Sequence, residues 1–244
     1  ITGTIDDDVL IGGTGDDDIF GGDGNDFLTG NAGNDSLNAG SGDDDVLGGA
    51  GDDFIIGGSG AGFDNYDGGA GNDWIFAGQG SDTVNAGEDD DIVFGDLGLI
   101  DDSSGERVIR TTQPTQGGVD TIMLDGGNDI GLGGASGDTV AGGAGIDVLI
   151  GDHALILINN ERRRIDAIDP LSGGDDELIG GGGGNIIIGG KGNDEFDGEF
   201  NQNLILGNFG QVTDNKAFNG VVVSTDPGNR EIIASLMYDL YNFS

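Results

Sequence analysis

Cysteine is absent from the 244 residues, which excludes disulfides, thiolate catalysis and zinc–thiolate sites. Bases are scarce: 8 lysines and arginines face 46 acids, for a formal net charge of −38. Nucleic acid is therefore a poor partner, since its phosphates would be repelled. Insertion into a membrane is not expected either, because no apolar run is long enough to span a bilayer. Histidine occurs once, as His153, and reads as a surface or turn residue. There is no H-E-x-x-H motif and no G-x-S-x-G nucleophile elbow, and no glycine-rich stretch ends in G-K-[ST]. No catalytic constellation remains, so no enzyme is expected. The chain opens at Ile1 without a methionine or a cleavable secretion signal, as a processed product or an excerpt does.

Glycine is plentiful instead, at 54 residues, so backbone geometry must carry much of the fold. Its placement is periodic. From Gly12 the chain reads GGTGDDDIF, GGDGNDFLT, GNAGNDSLN, AGSGDDDVL and GGAGDDFII, nine residues per block without gaps. A looser block, GTIDDDVLI, precedes these from Gly3. After an insertion at Gly60–Gly62 the frame resumes with GGAGNDWIF, AGQGSDTVN and AGEDDDIVF. Glycine suits a tight turn with positive φ, where backbone approaches backbone or an ion. Aspartate at the sixth position offers a hard oxygen ligand. The last three residues read as a short strand whose middle side chain points inward. That inward set is Leu10, Ile19, Leu28, Leu37, Val46, Ile55, Tyr66, Ile75, Val84 and Val93, with Tyr66 the outlier.

These blocks resemble the nonapeptide G-G-x-G-x-D-x-U-x of the RTX family, over most of residues 3–206. The resemblance implies an all-β, right-handed parallel β-roll, with two nonapeptides per coil and Ca2+ between coils. Alternate repeats then share an edge. One edge would carry Asp8, Asp26, Asp44, Asp64 and Asp82, and the other Asp17, Asp35, Asp53, Asp73 and Asp91. Carboxylates stacked about 4.8 Å apart repel, and calcium would convert that repulsion into coordination. About a dozen ions are expected from this repeat count.

A longer period overlies the short one. Breaks begin at Gly95, Gly151 and Gly207, 56 residues apart. By that period Asp120, Asp129, Asp138, Asp147, Asp176 and Asp194 join the candidate calcium ligands. Asn185 and Asn203 replace the expected acid, and Gly131 stands where an inward apolar residue belongs, so sites there are in question. The reading divides the chain into a regular roll over 1–60, three units over 61–116, 117–172 and 173–228, and a cap or docking segment over 229–244. Each unit has four nonapeptides and a β-hairpin insert. The first insert turns at Ser103–Gly105, the second near Asn159–Arg164 and the third near Asp214–Asn219.

Outward strand positions are mostly polar on one sheet and apolar on the other, from Phe54 and Trp74 to Leu206. An apolar face needs cover. The inserts are therefore expected to stack into one sheet over it, burying Leu99, Ile100, Val108, Ile156, Ile158, Ile165, Val221 and Val223. Phe20, Phe54 and Ile56 would stay open to a partner: a second copy or another surface protein. The function expected is a calcium-dependent, secreted or cell-surface structural module of a filament, adhesin stalk or surface layer. The alternative is a folding and secretion module of a larger RTX enzyme or toxin.

Overall fold

In a computed structural model of the chain, the described residues are 1–58, 60–113, 115–158, 163–167, 172–198, 203–207 and 221–222. They contain strands and turns and no helix. Two parallel sheets run the length of the molecule, nine-stranded from Val9–Ile11 to Glu195–Asp197 and ten-stranded from Asp18–Asp23 to Val221–Val222. Successive repeats alternate between them, so a strand pairs with the strand two repeats on. Leu10 lies beside Leu28, Leu28 beside Val46, and Val46 beside Tyr66. The register passes undisturbed across the first hairpin insert, where Val84 meets Ile122 and Val93 meets Gly131. This is a parallel β-solenoid of the β-roll type.

The inward side chains of both sheets meet in one core running from Ile19 to Ile205. Tyr66 belongs to it, and its hydroxyl lies 2.9 Å from Oδ2 of Asp64 and 3.2 Å from the carbonyl oxygen of Ala77. The turns need glycine where coils touch. Gly51 holds φ +128°, and a Cβ there would come within 2.1 Å of the Gly33 carbonyl oxygen on the preceding coil.

The first two hairpin inserts stack on one another. Gly98–Asp101, Arg107–Thr111, Ala154–Ile158 and Arg163–Ala167 form one antiparallel four-stranded sheet. That sheet covers the apolar outer face of the ten-stranded sheet. Phe94, Leu132, Ile150 and Ile188 pack there against Ile109, Ala154, Ile156 and Ile165. Phe76 and Phe94 stack with centroids 4.7 Å apart. At the N-terminal border the Arg107 guanidinium sits 5.3 Å over the Trp74 ring.

Several expectations need correction. Ile100, Ile156, Ile158 and Ile165 lie in or against this second core, but Leu99 is 38% exposed and Val108 does not join it. Leu99 pairs with Arg110 and Val108 with Leu157 and Asp101, all on the face turned away from the roll. Ile109 and Ala154 fill those places instead. Val221–Val222 extends the ten-stranded sheet beside Leu204 and Ile205 rather than covering it. Arg163 and Arg164 are strand residues, not turn residues. His153 is 2% exposed at the base of the second hairpin, its Nδ1 3.2 Å from the Thr111 hydroxyl, and so is not a surface residue. Val223, the third insert's turn at 214–219 and the segment 229–244 lie outside the described residues.

Candidate metal centre

Each sixth-position aspartate lies at the corner where a turn enters a strand, and in those inside the roll three of the four polar groups are committed to neighbouring coils. Asp44 is representative. Its N–H donates to Asp64 Oδ1 at 2.7 Å, its own Oδ1 accepts the Asp26 N–H at 2.7 Å, and its carbonyl accepts the Asn65 N–H at 2.8 Å. Repetition of this pattern makes two unbroken ladders. The first edge runs Asp8, Asp26, Asp44, Asp64, Asp82, Asp120, Asp138, Asp176 and Asp194. The second runs Asp17, Asp35, Asp53, Asp73, Asp91, Asp129, Asp147, Asn185 and Asn203. All sixteen sequence-predicted aspartates lie on these two ladders.

The fourth group, Oδ2, divides them. In Asp26, Asp35, Asp44, Asp53, Asp73, Asp82, Asp91, Asp120, Asp129, Asp138, Asp147, Asp176 and Asp194 it is buried and accepts no hydrogen bond. In the other three it has a donor: Thr4 N–H and hydroxyl for Asp8, Gly13 N–H for Asp17, and the Tyr66 hydroxyl for Asp64. A buried carboxylate oxygen with no donor calls for a proton or a cation. Burial accordingly raises Asp73, Asp129 and Asp147 to about 7 and Asp82 and Asp91 to about 8, from 3.8. Among the described residues no three acidic or histidine side chains converge on one point. An ion here would complete its oxygen shell from turn carbonyls, as calcium does.

A third ladder, unforeseen from the sequence, supplies the control. On the second edge the residue before each aspartate from Asp17 to Asp129 also bonds from coil to coil, on the exposed side. Asn34 N–H donates to Asp16, Asp52 N–H to Asn34, Asn72 N–H to Asp52, Asp90 N–H to Asn72, and Asn128 N–H to Asp90. This outer column alternates acid and amide, so like charges are not adjacent. The inner column puts acid on acid for seven coils while more deeply buried. One column has removed its repulsion by composition; the other keeps it, as a file of cation sites must.

Asp96 and Asp152 were also missed. Each follows the glycine that opens an insert and is buried, Asp96 to 1% exposure. Asp96 accepts the N–H of Ala135, and Asp152 the N–H groups of Gly174 and Lys191. They tie the foot of each hairpin to the next coil. The signal available was their shared slot in the 56-residue period.

The doubtful sites also resolve. Asp129 holds its place in the ladder despite Gly131. Asn185 and Asn203 keep the Oδ1 acceptor, and each uses its amide nitrogen differently from an aspartate: Asn185 Nδ2 donates to the carbonyls of Gly180 and Gly182, and Asn203 Nδ2 to that of Gly198.

A β-solenoid with files of buried carboxylates at both edges defines the class of calcium-roll proteins. Comparison with protein families matches the RTX calcium-binding nonapeptide repeat over residues 2–37, 29–64, 67–98, 132–153 and 172–205, and the chain belongs to that family. No curated protein matches it.

Proposed function

We propose that this chain is an extracellular structural module that folds by binding Ca2+ and serves in a surface assembly. The thirteen donorless Oδ2 atoms carry the reading. Those aspartates, with turn carbonyls, are the proposed ligands. The ion supplies the positive charge that two stacked acid columns lack, so binding free energy becomes folding free energy. Affinities of about 10⁻⁴–10⁻³ M, those of extracellular modules, leave the chain unfolded where calcium is scarce and folded where it is abundant. RTX repeats are typical of secreted proteins, which supports this placement.

The assembly role rests on the N-terminal end of the roll. Phe20 is 47% exposed and Phe54 36%, beyond the border of the hairpin sheet. Strand Gly98–Asp101 ends that sheet with one edge unpaired among the described residues. A face of this kind suits a second copy or another surface protein. Calcium titration from a metal-free start, followed by circular dichroism and light scattering, tests both parts. Cooperative gain of β-structure supports calcium-driven folding, and scattering that grows in the same range supports assembly. β-structure that is present without calcium and does not respond to it refutes the reading. Folding without assembly would leave a folding and secretion module.

A further inference from the structure

We propose that Asn185 and Asn203 stand in for the metal, so that the second edge beyond Asp147 is closed by side-chain amides and takes no calcium. The proposal rests on the calcium reading of the aspartate columns. Asparagine has the shape of aspartate, and here it keeps half of the aspartate's role: Asn185 Oδ1 accepts the Asp147 N–H at 2.7 Å, and Asn203 Oδ1 accepts the Asn185 N–H at 2.7 Å. The other half is inverted. Where Asp147 presents a donorless Oδ2, Asn185 presents an NH2 group, which donates to Gly180 and, at 3.0 Å, to Gly182 within its own turn. Asn203 repeats this on Gly198. Those carbonyls are acceptors that a cation would otherwise satisfy. The amide hydrogens satisfy them without an ion.

The substitution is confined to one edge. Directly across the roll, Asp176 and Asp194 keep donorless oxygens. The last coils are therefore half metal-dependent, with calcium on the first edge and amides on the second. Tyr66 is a separate instance of a protein donor meeting a column carboxylate, at Asp64.

The test is the number of calcium ions bound by the full chain at saturating calcium, from equilibrium dialysis and elemental analysis. Asn185→Asp is expected to bind at least one ion more than the native chain. Asp147→Asn, its converse, is expected to bind at least one fewer and to stay folded in calcium. Unchanged counts in both variants would overturn the proposal. So would an Asn185→Asp chain that fails to fold in saturating calcium, since the ion is what should rescue the added charge. A native chain that binds no calcium would instead refute the reading on which the proposal rests.

Discussion

Leu124 occupies the space that Gly131 leaves empty. A Cβ built on Gly131 would lie 3.0 Å from Leu124 Cδ1 and 2.9 Å from Val140 Cγ1. The inward position of one strand has lost its side chain, and the first position of the same repeat, commonly glycine or alanine elsewhere, has gained one that is fully buried. The two departures from the repeat are one compensated exchange. Leu124→Ala should therefore destabilise the calcium-loaded chain by about 2–5 kcal/mol, the usual cost of truncating a buried leucine. Adding Gly131→Val to that variant should recover part of the loss, while Gly131→Val alone should cost about 1–3 kcal/mol through overpacking. Chemical denaturation at saturating calcium reads all three, and additive losses would contradict the exchange.

The two oxygens of one aspartate can be separated by mutation. Asp91 Oδ1 accepts the Asp73 N–H at 2.8 Å, and its Oδ2 has no donor. Asp91→Asn retains the first function and removes the ligand, so calcium stoichiometry should fall while the calcium-loaded fold persists. Asp91→Ala removes both and strands the buried Asp73 N–H, at a further cost of about 1–3 kcal/mol. Equal stability of the two variants would show that the ladder bond contributes nothing.

Acidity should act in opposite directions with and without metal. Burial lifts Asp73, Asp129 and Asp147 to about 7 and Asp82 and Asp91 to about 8, against 3.8 for the exposed group. A group with a raised folded-state pKa contributes stability that is fully present below the unfolded value, and that stability is lost as pH rises through the folded one. In calcium-free buffer the roll should thus be most ordered at or below about pH 4 and lose order progressively as pH rises toward about 7 to 8. With calcium present the trend should reverse, because protons compete with the ion for the same oxygens. Circular dichroism across that range, with and without calcium, checks the prediction; parallel curves would count against carboxylate ligation.

How much of this was legible beforehand follows from where each feature sits. The roll, its two edges and the aspartate files are written at fixed positions of a nine-residue code, so each repeat confirms the last. The hairpin sheet followed from an apolar outer face that needed cover. Its inward residues did not, because the inserts carry apolar side chains on both faces: Leu99 and Val108 look as good in sequence as Ile100 and Ile109. Only pairing with the roll decides the parity. The Leu124–Gly131 exchange was hidden because it spans two positions, each an error when read alone. Asp96 and Asp152 fall where the short code stops.

Asp96 gives the hairpins a testable hinge. Its carboxylate accepts backbone N–H groups of Gly118, where the chain returns from the first hairpin, and of Ala135 on the next coil. Asp96→Ala would leave both donors unpaired, at about 1–3 kcal/mol for the buried Ala135 N–H and less for the half-buried Gly118 N–H. The roll register does not pass through Asp96, since Val84 pairs with Ile122 and Val93 with Gly131 independently of it. Hydrogen exchange should therefore rise in Gly98–Asp101 and Arg107–Thr111 while the Asp73–Asp91 coils stay protected. Uniform loss of protection would mean that Asp96 holds the roll itself.

The outer column offers the sharpest comparison with the inner one, because it carries the same chemistry with the charge removed at every second step. Asn34→Asp would place three acids in succession, Asp16, position 34 and Asp52, on the exposed side of the second edge. The backbone bond from Asp52 N–H to residue 34, now 3.0 Å, survives the change, so geometry is conserved and only charge is added. If alternation exists to avoid repulsion, the variant should be less stable than the native chain at low salt and should recover as the Debye length shrinks from about 30 Å at 0.01 M to about 3 Å at 1 M. The calcium count should not change, since the outer column is not offered as a metal site. A variant that binds one more ion would show instead that any run of stacked acids on this scaffold recruits calcium. The burial of the inner oxygens would then matter less to the site than the spacing of the coils.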